Sequence, residues 1–352
     1  MSESSAPSAA PARSVRLEPS GHTFTVNPGE TVLEAALRQG IGLPYGCRNG
    51  ACGACKGTLK SGELVYGEHQ DRAISAAEKA AGKALTCVTK PLTDLVYEIR
   101  ELSGAKDLQI RTLPARVEKV EKPVDDVAVL YFKLPAAERL QFLAGQYVDI
   151  LMKDGKRRSF SMANAPHDDA FLQFHVRRAP GGTFSKYVFE EMKERAILRF
   201  EGPLGTFYLR EDSDKPIIFV AGGTGFAPIK AVVEHIFHNE IDRQVILYWG
   251  VRSKKDLYLA ELPHQWQRDH PGFSYIPVLS EPQPEDAWTG RTGFVHQAVL
   301  DDFASLAGYQ VYACGGPAMT DVCKETFVAQ KGLPEDEFFC DAFTYSVDPK
   351  KP

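Results

Sequence analysis

Four cysteines in the first quarter of the chain constrain it more than any other feature: Cys47-x4-Cys52-x2-Cys55, with Cys87 after 31 further residues. Three of them lie in a stretch too irregular for a helix or strand. Residues 44–57 read accordingly, with Gly46, Gly50, Gly53 and the small Ala51 and Ala54 set among the cysteines. Clustered thiols can be disulfides, a structural zinc site, or ligands of an iron–sulfur cluster. The total of seven is odd, and Met1 to Ala12 is rich in Ser, Ala and Pro without the basic-then-apolar order of a secretory signal. The reading is therefore a cytoplasmic chain, in whose reducing setting clustered cysteines bind metal or do chemistry rather than staple a fold. Structural zinc usually shows paired C-x2-C elements and lacks the x4 gap. The spacing found here is that of a 2Fe-2S centre, and the expected ligands are Cys47, Cys52, Cys55 and Cys87.

At 352 residues the chain is long enough for two or three folding units. Its net charge of -5 offers no basic footprint for nucleic acid or anionic membrane, and no apolar run approaches the ~20 residues of a membrane span. A protein or small-molecule partner fits better. Residues 1–13 read as a disordered tail. A hairpin of Ser14–Leu17 and Thr23–Val26 follows, then a helix capped by Thr31 and Glu34 and ended by Gly40, then short strands near Lys56–Lys60 and Asp94–Ile99. Residues 14–103 form the first expected domain and 104–111 a linker. Runs at Ala115–Val120, Val127–Leu134, Tyr147–Leu151, Phe171–Val176 and Ala196–Phe200, with one helix near Thr183–Met192, suggest an antiparallel barrel over 112–211. From Pro216 the rhythm becomes strand, glycine turn, helix, which predicts a parallel α/β domain over 212–352.

Residues 14–103 resemble plant-type ferredoxins, down to Gly46-Cys47-Arg48-Asn49-Gly50, and the resemblance implies a β-grasp fold carrying one electron at a time. In the barrel, Arg158-Ser159-Phe160-Ser161 resembles the R-x-Y-S motif of ferredoxin reductase-type flavoproteins, with Phe in the usual Tyr place. The resemblance implies that Arg158 pairs with a flavin pyrophosphate, Phe160 packs by the isoalloxazine, and the Ser161 hydroxyl reaches N5. A planar, permanently charged guanidinium suits phosphate, and a flat ring offers stacking area. Gly181-Gly182-Thr183-Phe184-Ser185 opens a helix whose bare N–H groups suit a phosphate, and Gly202-Pro203-Leu204-Gly205-Thr206-Phe207 matches the barrel-closing turn of the same family. Ser159, Gly182, Thr183 and Ser185 join the expected flavin contacts. FAD is the expected flavin, with FMN the alternative.

Ile217 to Ala221 runs into Gly222-Gly223-Thr224-Gly225-Phe226-Ala227-Pro228, a strand, glycine turn and helix start suited to a dinucleotide phosphate. Pro228 replaces the third glycine of G-x-G-x-x-G, the reductase family's own variant. Cys314-Gly315-Gly316-Pro317-Ala318-Met319 resembles that family's C-G-P-x-x-M turn, which implies that Cys314 lies against the nicotinamide. Cys323 and Cys340 read as core thiols. Glu281, after Ser280, stands where NADPH enzymes of the family place an arginine. A carboxylate repels a 2'-phosphate and accepts from ribose hydroxyls, so NADH is expected, with Arg252, Lys254 and Lys255 on another loop as the competing influence. Phe343 matches the aromatic that covers the flavin face, although nine residues follow it. A core aromatic is the other reading.

The order ferredoxin, flavin barrel, nicotinamide domain is similar to that of oxygenase reductases and of the reductase serving a dehydrase in deoxysugar synthesis. It implies an NADH-dependent iron–sulfur flavoprotein reductase that passes electrons to a terminal acceptor protein, a monooxygenase, dioxygenase, P450 or deoxysugar dehydrase. Two alternatives stand beside it: a flavin reductase acting directly on a small molecule, and a redox-sensing module that regulates a partner.

Overall fold

The computed structural model describes residues 11–102 and 108–344. The chain divides into two compact units, Met1–Asp107 and Leu108–Pro352. Most of the expected tail and part of the expected linker, residues 1–10 and 104–107, lie outside the described residues.

In the first unit β1 (Arg13–Glu18) and β2 (Thr23–Val26) form the hairpin, and their alternation buries Val15, Leu17, Phe24 and Val26. Helix α1 (Val32–Arg38) starts at a capping box in which Thr31 and Glu34 each accept from the other's backbone N–H. Its buried Val32, Leu33, Ala35 and Ala36 face the sheet. Then follow β3 (Lys56–Ser61), β4 (Leu64–Tyr66), α2 (Ala76–Ala80), β5 (Lys83–Leu85), β6 (Thr89–Pro91) and β7 (Leu95–Glu98). The main sheet runs β2-β1-β7-β3-β5, with β1 and β7 parallel, and β4 pairs with β6 separately. A mixed sheet with one helix across it is the β-grasp arrangement. Four of these elements, β4, α2, β5 and β6, carry no legible periodicity. The strands have three residues each, and α2 buries none of its five.

The second unit opens with β8 (Arg111–Val124), β9 (Val127–Lys133), β10 (Tyr147–Leu151), β11 (Arg157–Ser161), β12 (Leu172–Arg177), α3 (Thr183–Glu190) and β13 (Ile197–Leu204). They form an antiparallel sheet ordered β11-β10-β13-β8-β9-β12. Its two edges meet beyond β11, where Ala163 N–H donates to Gln173 O of β12 at 2.8 Å. Phe132, Phe174 and Phe200 fill the interior with edge-to-face contacts at 5.0–5.8 Å. The motif Arg158 to Ser161 makes up most of the edge strand β11.

The chain continues as β14 (Ile217–Gly222), α4 (Phe226–His238), β15 (Val245–Val251), α5 (Glu261–Asp269), β16 (Phe273–Leu279), β17 (Arg291–Thr292), α6 (Val295–Asp302), β18 (Gln310–Gly315), α7 (Pro317–Lys331) and β19 (Phe338–Ala342). These strands are all parallel in the order β17-β16-β15-β14-β18-β19. Their near-continuous apolar runs, such as Ile217 to Ala221, reflect burial on both faces. The order reverses between β14 and β18, and the carboxyl ends of strands at such a switch point form the crevice in which open α/β sheets bind ligands.

Candidate functional site

Strand pairing in the first unit closes the 31-residue gap in the cysteine motif. Lys56 of β3 lies opposite Leu85 of β5, and Thr86 N–H donates to Cys55 O at 3.1 Å, which brings Cys87 beside Cys55. The loop from Cys47 to Cys52 turns at Gly50, whose φ of +72° and contact with Glu68 O, 2.8 Å from where a Cβ would stand, admit only glycine comfortably. Backbone N–H groups point at sulfur: Ala51 and Cys52 each donate to Cys47 Sγ at 3.3 Å, and Cys47 and Ala54 to Cys52 Sγ at 3.4 and 3.5 Å.

The thiols associate two by two. The hydrogen bond from the Cys52 thiol lowers Cys47 to about 6, helped by backbone N–H groups, and the same contact raises Cys52. Cys87 likewise lowers Cys55 and is itself raised. No three His, Cys, Asp or Glu side chains among the described residues gather as a single metal ion would require. Two pairs of sulfurs, one pair wrapped in N–H donors, fit a centre with two irons that each take two thiolates.

In the second unit, the alternation of β11 puts Arg158 and Phe160 on one face and Ser159 and Ser161 on the other. Ser159 donates to Asp149 Oδ1 at 2.6 Å. The Phe160 ring lies 5.0 Å from that of Phe184, in the first turn of α3, so the two flavin motifs meet through their aromatics. Gly182 stands at the N-cap of α3 with no side-chain cap, which leaves the first-turn N–H groups open beside exposed Thr183. The Ser185 hydroxyl serves its own turn instead, accepting from Ala179 N–H at 3.1 Å. An uncapped helix start next to an arginine-bearing edge strand fits a flavin pyrophosphate held by Arg158 and those N–H groups.

At the switch point the turns after β14 and β18 touch. A Cβ at Gly225 would lie 2.0 Å from Cys314 O, so only glycine lets the Gly223-Thr224-Gly225 turn sit on the Cys314–Gly315 backbone. Pro228 is the third residue of α4. Gly223 O accepts from Trp249 Nε1 at 2.9 Å, and the Trp249 ring stacks on Phe226 at 4.0 Å. Cys314 is fully buried, and burial, with the nearby Asp341 and Cys340 adding, pushes its thiol well above the usual range. A thiol held that way stays protonated and does not act as a nucleophile. Phe343 N–H donates to Gly315 O at 2.8 Å, and the half-buried ring packs on the core of the sheet.

One carboxylate lies between the two motifs. Asp341 of β19 lies in register with Cys314 of β18, and its Oδ2 accepts from the Ser161 hydroxyl of β11 at 3.2 Å. The strand carrying the flavin motif and the strand carrying the nicotinamide motif thus meet at one carboxylate. Asp341 was not among the residues expected from sequence, although it stands two positions before Phe343. Arg177, at the end of β12, was also missed. Its Nη1 pairs with Asp126 at 3.2 Å, while Nε and Nη2 are buried without a protein partner and the guanidinium carbon lies 3.9 Å from a Cβ built on Gly223. At the far side of the sheet, Glu281 N–H donates to Arg252 O at 2.8 Å, so the two residues placed on separate loops by the sequence share one edge, both exposed.

Comparison with known proteins agrees with this division. Residues 15–92 match the 2Fe-2S iron-sulfur cluster binding domain, 114–208 the oxidoreductase FAD-binding domain and 219–325 the oxidoreductase NAD-binding domain. The phenol hydroxylase P5 protein of Acinetobacter pittii is 34% identical, covering 95% of each chain. Among solved structures, a cytochrome P450 reductase from Amycolatopsis superposes with a TM-score of 0.78 at 34% identity, over 95% of this chain and 99% of that one. The CDP-6-deoxy-L-threo-D-glycero-4-hexulose-3-dehydrase reductase of Yersinia pseudotuberculosis is 41% identical over 94% of this chain and 98% of its own. With that coverage and three domains in the same order, the chain belongs to the family of iron–sulfur flavoprotein reductases, oxidoreductases built from a 2Fe-2S domain, a FAD-binding domain and a NAD-binding domain.

Proposed function

We propose that this reductase draws electrons from NADH at a flavin site flanked by Ser161 and Cys314 and delivers them from the cluster bound by Cys47, Cys52, Cys55 and Cys87 to an acceptor protein in the cytoplasm. One observation carries the reading: Ser161 and Cys314, on different sheets, are joined through Asp341. When bound, the flavin takes two electrons together and the cluster passes them on singly. The work of the chain is to hold, orient and exclude water. Arg158 and the open start of α3 hold the flavin phosphates, the glycine turn and Arg177 hold those of the nucleotide, and buried Cys314 backs the nicotinamide site without adding charge to it. Asp341 keeps the Ser161 hydroxyl oriented, and Phe343 covers the flavin face. Glu281 favours NADH. We take the modules to span 14–103, 112–211 and 212–352, limits read from the polar stretch before Arg111 and the change of rhythm at Pro216; the family matches at 15–92, 114–208 and 219–325 fall inside them.

Relatives are named for phenol hydroxylase, terephthalate dioxygenase and the hexulose dehydrase. The 41% identity to the dehydrase reductase, against 34% and 35% for the other two, makes a dehydrase of that kind the acceptor to test first. Cys52→Ser separates the halves of the path, because it removes one thiolate from the first unit while the second keeps its own cores. NADH-driven reduction of ferricyanide, which draws directly on flavin, should stay near wild type, whereas reduction of cytochrome c or the partner falls steeply. A variant that keeps FAD and serves its partner at full rate would remove the cluster from the path and favour the sensor reading.

A further inference from the structure

The helix that begins at the glycine turn also carries a buried cation with no part in the site described so far. Lys230 of α4 is 8% exposed, and its ammonium has three acceptors: Ala163 O at 3.0 Å, Gln173 Oε1 at 3.1 Å and Glu234 Oε2 at 2.8 Å. An ammonium has three N–H donors, so this one is saturated in a single geometry. Glu234 belongs to the same helix, one turn on. The other two acceptors belong to the barrel.

The position of those two acceptors matters. Ala163 lies two residues beyond Ser161, and its N–H donates to Gln173 O at 2.8 Å. Gln173 N–H in turn donates to Asn164 Oδ1 at 2.9 Å. Lys230 therefore grips the short stretch of backbone on which the Ser161 hydroxyl is mounted. At its other end the grip leads through one turn of α4 to Gly225, seated on Cys314 O.

Burying an ammonium is costly, and an apolar side chain of similar length would fill the same seam at less cost. What an apolar contact lacks is direction, since two greasy surfaces slide while three short hydrogen bonds do not. Reactions between two bound rings are sensitive to displacements of about an ångström. We infer that Lys230 is a positioning residue for the reduction of flavin by NADH: it locks the strand end that carries Ser161 to the helix that carries the glycine turn, and so fixes how the nicotinamide approaches the flavin. This rests on the reading of Ser161 and Cys314 given above.

The test is rapid-mixing reduction of the holoprotein by NADH, with the NADH dissociation constant and the limiting rate determined separately for wild type, Lys230→Met and Gln173→Met. Methionine keeps length and apolar volume without donors. The Glu234 side chain keeps 25% of its surface exposed, so in the Met variant its carboxylate still reaches water. The limiting rate of Lys230→Met should fall about ten-fold or more while NADH affinity changes less than about three-fold, because the phosphate contacts lie on the turn itself. The long-wavelength charge-transfer absorbance that stacked nicotinamide and flavin show should weaken in parallel. Gln173→Met, which removes one acceptor, should slow the reaction in the same direction by a smaller factor. If Lys230→Met loses its flavin, Gln173→Met decides alone. An unchanged limiting rate in a flavin-loaded variant, or a loss confined to affinity, overturns the inference. Failure of NADH to reduce wild-type flavin would instead overturn the functional reading beneath it.

Discussion

The proposed preference for NADH rests on single residues, and their neighbours decide what they can do. Glu281 stands alone in the sequence as an acidic residue where a 2'-phosphate would be gripped, yet the structure sets it against Arg252, backbone to backbone at 2.8 Å. Two opposite charges thus compete at one exposed edge of the sheet, and the carboxylate is the one that repels phosphate. Glu281→Arg should lower the ratio of kcat/KM for NADH over NADPH by about ten-fold or more, since a charge-assisted pair with phosphate adds on the order of 1.5–3 kcal/mol. Steady-state kinetics with both cofactors checks this, and a ratio that does not move would assign the choice to Arg252. Cys314 shows the same dependence on surroundings. Its sequence motif implies a nicotinamide contact, and its complete burial raises the thiol well above the ordinary range.

Among elements, β12 links the two sheets of the second unit. Three alternate residues of one face reach across: Gln173 to Lys230, His175 to Tyr258 at 2.8 Å, and Arg177 to Asp256 at 4.0 Å. Alternation is what a strand predicts, but β12 read simply as a barrel strand because its partners, on α4 and in the loop after β15, are distant in sequence. His175 gives this seam a measurable signature. Burial, with the charge of Lys230 adding, drives it down to about 3, so in the folded chain it stays neutral. Below its ordinary value of 6.5 only the unfolded chain takes the proton. The contribution is fully present above that value and is lost as pH falls towards about 3. Between pH 7.5 and 5 wild type should lose about 2 kcal/mol more unfolding free energy than His175→Gln, since one proton is worth about 1.4 kcal/mol per pH unit. Denaturant melts of the second unit's transition at the two pH values measure it, and parallel losses in the two proteins would count against a neutral His175.

For the whole molecule, the simplest prediction is stoichiometric. Protein purified anaerobically should hold about two irons, about two sulfides and one FAD per chain, because two thiol pairs suit one 2Fe-2S centre; zinc in their place, measured by elemental analysis, would remove the cluster. That much was legible from the chain. The cysteine spacing, the glycine turns and the change from barrel to α/β rhythm are local patterns, set by backbone reach and burial within a few residues, so the sequence by itself determined the three modules, their order and their cofactors. It also determined the capping box of α1 and most longer strands. The three-residue strands and the five-residue α2 were illegible because they bury too little to leave a period. Tertiary structure alone decided which residues meet. The pairing of Cys55 with Cys87, the carboxylate shared by Ser161 and the Cys314 strand, the grip of Lys230 on Ala163 and the contact of Arg252 with Glu281 all join segments far apart in the chain. Such contacts depend on strand register and on how one sheet packs against another, and neither leaves a mark in local periodicity.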